Sequence, residues 1–176
     1  MSRFIMSLLV AVCFTFPAFA IADDGGYTYE GLLAIGHGQY VSQNFEGAIA
    51  QYEKAKNAES GRPEAYYFIG CAMARQKRWD EAVTVLKSAA TVAGESHPAM
   101  HARALFVVAV TLEQAGDLSK ARFAWAAYKE YSVAHPSITG FAAVADQRVK
   151  ANEALDRRKQ EYQIVRDRIA AGAGTD

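Results

Sequence analysis

Three alanines frame this chain. Ala48 in Glu46-Gly47-Ala48 and Ala82 in Asp80-Glu81-Ala82 lie 34 residues apart, and Ala121 in Ser119-Lys120-Ala121 comes 39 residues later. Placing each at position 20 of a 34-residue unit defines units 29–62, 63–96 and 102–135, with residues 97–101 inserted before the third. Other columns then agree. Position 4 is Leu32, Tyr66, Leu105; position 7 is Ile35, Ile69, Val108; position 8 is Gly36, Gly70, Ala109. Position 17 is Phe45, Trp79, Leu118; position 24 is Tyr52, Leu86, Trp125; position 27 is Ala55, Ala89, Tyr128. One such unit cannot bury its own apolar face, whereas three stacked units share a continuous core.

Inside the units the apolar residues recur at helical spacing, as in Ile69 and Met73 or Val83, Leu86 and Ala90. Small residues at positions 8 and 20 let two helices approach closely, and the large side chain at 24 fills the space beside them. Polar turns separate the helices at Ser42-Gln43-Asn44, Gln76-Lys77-Arg78 and Gly116-Asp117. Asp80 and Ser119 are placed to cap the second helices or face their dipoles.

This pattern resembles the tetratricopeptide repeat, a helix–turn–helix unit. The resemblance implies an all-α fold: a right-handed superhelical array of three repeats, ended by a long C-terminal capping helix. Three departures stand out: Gln39 at position 11, Tyr128 at position 27, and Ser60, Gly94 and Val133 where proline is frequent at position 32. Gln39 and Tyr128 fall in the end units, where one neighbour is missing and packing rules relax. The insertion 97–101 predicts a first helix of unit three that starts about one turn early, with Pro98 in its first turn and Ser96 or His97 as cap. From about Ile138 the chain reads as helix to Ala171, and the last five residues, 172–176, as a disordered tail. Arg157-Arg158-Lys159 form a basic cluster on this helix.

Residues 1–22 read as a secretory signal: Arg3, an apolar run from Ile5 to Phe16, Pro17, and A-x-A sites ending at Ala20 and Ala22. The run is short for a membrane span, which needs about 20 apolar residues. Cleavage after Ala22 leaves 23–28 as a flexible start and no integral span. It removes Cys13, so Cys71 remains without a disulfide partner, a buried small hydrophobe or a reactive thiol. The location expected is exported, periplasmic or secreted.

The whole chain balances 19 basic against 19 acidic residues, which gives no basic excess for nucleic acid. No phosphate loop, HExxH, GxSxG or CxxC is present. His97 and His101 are four apart, yet a third metal ligand is not near in sequence, and no metal site or cofactor is assigned. His37 has no Ser, Cys or Asp at catalytic spacing, so the chain reads as non-catalytic.

In arrays of the resembled family the first helix of each unit lines a concave ligand-holding face, through positions 2, 5, 9, 12 and 13. Carried over, the candidate groove contains Leu33, His37, Tyr40, Tyr67, Cys71, Arg75, Arg103, Phe106, Val110 and Glu113. It has no Lys or Asn, which argues against a clamp for a peptide's terminal carboxylate. Its apolar and aromatic middle suits an amphipathic helix or extended apolar peptide. The function expected is an exported envelope scaffold or assembly factor whose partner is another protein or peptide. The alternatives are a groove occluded by the C-terminal helix, a homo-oligomer built through that helix, and a metal carrier using His97 and His101.

Overall fold

The computed structural model describes residues 26–138 and 142–172. The expected signal segment, the start of the segment 23–28 and residues 173–176 lie outside them. The helices are α1 (Tyr29–Val41), α2 (Phe45–Ala58), α3 (Pro63–Arg75), α4 (Trp79–Ala93), α5 (Pro98–Gln114), α6 (Leu118–Ala134) and α7 (Ala142–Gly172). Each packs on its neighbour in sequence, and α3 also meets α5, so the first helices of successive units lie side by side. The chain is an all-α array of three helix–turn–helix repeats closed by a long C-terminal helix.

The turn inside each unit is built the same way. Arg78 N–H bonds to Met73 O and Lys77 N–H to Ala74 O, both at 3.0 Å; Asn44 and Gln43, and Asp117 and Gly116, repeat this pair of bonds. The residue at position 15 is left-handed each time: Gln43 (φ 61°), Lys77 (φ 62°) and Gly116 (φ 82°). This is the Schellman closure, which satisfies the last carbonyls of a helix. Only the third unit meets it with glycine, the residue for which positive φ carries no steric penalty.

Three helix starts are capped by side chains: Thr28, Asn44 and Asp117 accept the N–H of Gly31, Gly47 and Lys120. The expected caps sit elsewhere. Ser119 is already inside α6, because Asp117 two residues earlier takes the cap. Asp80 lies in the first turn of α4 as a dipole partner, while Arg78 at the cap makes no capping bond and pairs with Glu81 at 2.7 Å. The early start of α5 is as expected, with His97 at the cap and Pro98 first in the helix. α7 begins later than Ile138, whose N–H closes a turn onto His135 O at 2.9 Å.

Positions 8, 20 and 24 meet inside each unit. A Cβ at Gly70 would lie 2.5 Å from Leu86 Cγ and 3.2 Å from the backbone oxygen of Ala82. Gly36 stands in the same relation to Tyr52. Neither Leu86 nor its helix can retreat, since both are packed on α5. Gly70→Val is therefore expected to cost about 2 kcal/mol through overpacking, read as a lower urea midpoint with unchanged slope. Unit three keeps the geometry with Ala109 opposite Trp125, both buried. Tyr128 is not a loosened end position but core: its ring lies 5.4 Å from that of Phe106 and 6.0 Å from that of Trp125. It shares a cluster with Ala145 of α7, where the missing fourth unit leaves room for a large ring.

Candidate functional site

The candidate groove is the face of α1, α3 and α5. At its N-terminal edge Arg62 gathers the acidic side chains: it pairs with Glu30 at 2.6 Å and Glu59 and Glu64 at 3.6 Å. Its guanidinium also lies 3.8 Å above the Tyr29 ring. Position 2 is thus occupied by internal pairing in the first two units.

The middle of the face is an aromatic cluster at the joint of α1 and α3. The His37 ring meets Phe68 edge-on at 4.3 Å, and Phe68 stacks on Tyr52 and abuts Tyr67. Tyr40 abuts Phe45 at 5.4 Å, and Arg75 lies 5.6 Å over that same ring. Leu33, Tyr40, Tyr67 and Cys71 are half-buried, while His37, Arg75 and Arg103 are exposed. The clusters that hold Leu33, Tyr40, Tyr67 and Cys71 contain no residue of α7.

The cysteine, tyrosines and histidine of this cluster, Cys71, Tyr40, Tyr52, Tyr67 and His37, are biased to their neutral forms. Burial pushes the Cys71 thiol up to about 11, against a hydrogen bond with Tyr67 that lowers it. Burial likewise pushes Tyr52 up to about 12 and Tyr67 further still. Partial desolvation of the ring side that meets Tyr52 and Phe68 lowers the otherwise exposed His37 below the ordinary histidine range. His37 Nδ1 and the Tyr52 hydroxyl share one hydrogen bond of 2.7 Å. A protonated thiol is a poor nucleophile, and the His37 Nδ1 is already engaged by the Tyr52 hydroxyl. These groups form an apolar surface with a few hydrogen-bonding tips.

At the third unit the structure departs from the sequence reading. Phe106 packs edge-on to Trp125 at 5.1 Å, and it and Val110 pack against the cluster that includes Ala145. Glu113 is not available to a partner: its side chain is 8% exposed. Its carboxylate accepts bonds from Trp125 Nε1 at 2.8 Å, Asn152 Nδ2 at 2.7 Å and Arg148 Nε at 3.1 Å. Burial pushes the carboxyl up, but these bonds and the Arg148 charge outweigh it and hold Glu113 below the usual carboxylate range. α7 therefore ties down the C-terminal end of the face and leaves the α1–α3 part uncovered.

Phe68, Tyr52, Arg148 and Asn152 also take part, although the repeat positions that point to the groove do not include them. Phe68 sits one residue from a groove position, and the 34-residue frame assigns it to no shared column. Arg148 and Asn152 lie outside the repeats altogether. The histidine pair separates: His101 stacks on Tyr131 at 4.0 Å while His97 is exposed at the helix cap. Among the described residues no cluster of three metal-ligating side chains occurs. A second hollow, of about 310 Å³, lies between α4 and α6 beside the exposed Phe123.

No family model and no curated protein matches the chain. Solved structures do. The TPR2B domain of yeast Sti1, from its pHsp70 complex, superposes with TM-score 0.61 at 15% identity, over 72% of this chain and 97% of that one. This chain has the tetratricopeptide-repeat fold. The Yersinia enterocolitica type III secretion chaperone SycD, with a peptide of the translocator YopD, gives 0.61 at 18%, over 78% and 98%. PcrH with the chaperone-binding region of PopD gives 0.60 at 20%, over 72% and 92%. The repeat array is thus shared, while the side chains on its faces are this chain's own.

Proposed function

We propose that this tetratricopeptide-repeat protein is a non-catalytic interaction module. Its α1–α3 face would take an apolar segment of a partner protein, as an extended peptide or amphipathic helix. The observation that carries this is the half-buried aromatic row Tyr40, Tyr67 and Phe68 with Leu33 and the exposed His37, packed from below and, among the described residues, not covered by α7. The complexes of SycD with a YopD peptide and of PcrH with a PopD region support the reading by analogy of fold. A rigid preformed surface lowers the ordering cost of association. Arg75 and Arg103 at the margins favour a segment carrying a carboxylate beside its apolar residues.

The exported scaffold or envelope assembly role rests on the signal-like segment 1–22 read with this interaction surface. The occluded-groove alternative is reduced by the packing of α7 on α6 and the end of α5. The test uses a photo-crosslinking residue at Tyr40 and, as control, at Phe123. The protein captured only at Tyr40 is identified, and its binding segment is titrated calorimetrically. Tyr40→Ala with Arg75→Ala should weaken that titration roughly 30-fold or more, as loss of an aromatic and an arginine anchor does. Equal affinity in wild type and variant would reject the groove.

A further inference from the structure

The docked half of α7 and its free half present different faces. Ala145, Val149, Asn152 and Asp156 follow i, i+4, i+7, i+11 spacing and are the residues held by the array. Ala145 and Asn152 are buried, and Asp156 pairs with Arg122 at 3.1 Å. Continued along the helix, that face becomes Gln163, Asp167 and Ala170, which is mostly polar. From Arg157 to Gly172 every residue is exposed. This is a projection of about 24 Å at 1.5 Å per residue.

Its apolar residues stand elsewhere. Leu155, Tyr162, Val165 and Ile169 line one stripe, rotated by about 120° from the docked face at 100° per residue, while the exposed Ile164 stands on the other side of the helix. Tyr162 is 66% exposed and Ile169 67%. Arg158 lies within the stripe, Lys159 and Arg166 border one side of it, and Glu161 borders the other with Arg157 and Arg168 beyond it. Asp167 lies on the far side, engaged by Gln163 at 2.8 Å. The segment 157–172 carries five basic residues against two acidic, a net of +3, so the remainder of the neutral chain is −3.

We propose that the projecting end of α7 rests on an anionic phospholipid surface, apolar stripe inward. The position of Arg158 decides among occupants. In a helix pair it would be buried at the seam. Two parallel copies in register would oppose their Arg158 side chains. At a lipid surface the guanidinium bends out to the phosphates while its stem stays among the apolar residues, and Tyr162 places its ring and hydroxyl across the same boundary. The helix is already formed by its docked half, so binding has no folding to drive. The acidic remainder of the molecule orients away from the surface. No helix among the described residues is long and apolar enough to cross a membrane, so contact is at the interface.

The proposal is independent of the α1–α3 face. It is tested by co-sedimentation of the full chain with vesicles of phosphatidylcholine alone or mixed with phosphatidylglycerol. Binding is expected only to the mixed vesicles, weakening as salt is raised. Arg158→Glu/Arg166→Glu and Tyr162→Ser/Ile169→Ser should each reduce partitioning roughly tenfold or more, with circular dichroism unchanged. The proposal is overturned by failure to bind mixed vesicles, by equal binding to both lipids, or by indifference to both variants. A dimer in solution that Tyr162→Ser/Ile169→Ser dissociates would also overturn it, assigning the stripe to a second copy.

Discussion

Replacing Trp125 by alanine should remove about 4 kcal/mol of stability, close to the limit for a single core truncation. Trp125 is 1% exposed and occupies position 24 of the third unit. It is packed edge-on against Phe106 and Tyr128. Truncation would open a cavity at the junction of α5, α6 and α7 and remove one of the donors that hold buried Glu113. Neither loss can be healed by collapse, because the rings of Phe106 and Tyr128 are already engaged from other sides. For about 150 folded residues, one kcal/mol corresponds to roughly 2–4 °C, so the thermal midpoint should drop by about 8–16 °C. A drop under 3 °C in a thermal melt would show that Trp125 is not packed in the core as described.

Glu113→Ala should cost about 3 kcal/mol by a different route. It leaves the Trp125 indole and the Asn152 amide without their acceptor; Asn152 is 2% exposed and cannot turn to water. An unsatisfied buried donor costs about 1–3 kcal/mol, while the half-exposed Arg148 adds little. The damage should be local: amide exchange should rise across residues 142–156 and stay low in α1–α4. A uniform rise would refute the assignment of Glu113 as the tie between α7 and the array. The wild-type protein should show the same tie through pH. Glu113 is depressed in the folded state, so its contribution is fully present above the unfolded glutamate value near 4.3. It is lost as pH falls through the lower folded value. Glu113→Gln should flatten that acid limb of the stability curve.

The groove was legible in outline because its residues sit at fixed places in a repeating unit. Tyr40 and Tyr67 hold positions 12 and 5, which the resemblance to the tetratricopeptide repeat puts on the concave face. Phe106, Val110 and Glu113 hold equivalent places, yet they serve the protein's own interior. The repeat frame treats the third unit as identical to the others, but only the third has α7 as neighbour. Which equivalent position stays free depends on the element packed next to it in space, and spacing within a unit carries no record of that.

The sequence by itself determined the array: helix periodicity, small residues at 8 and 20 and a large one at 24 leave each unit a single way to pack, and α5 starts early because Pro98 can begin a helix but not continue one. Only the tertiary structure decided how α7 divides. Contacts with α6 and Glu113 hold it to Asp156, and beyond that none of the described helices packs against it. A helix shows its own faces in sequence, but which face is covered depends on where its neighbours end.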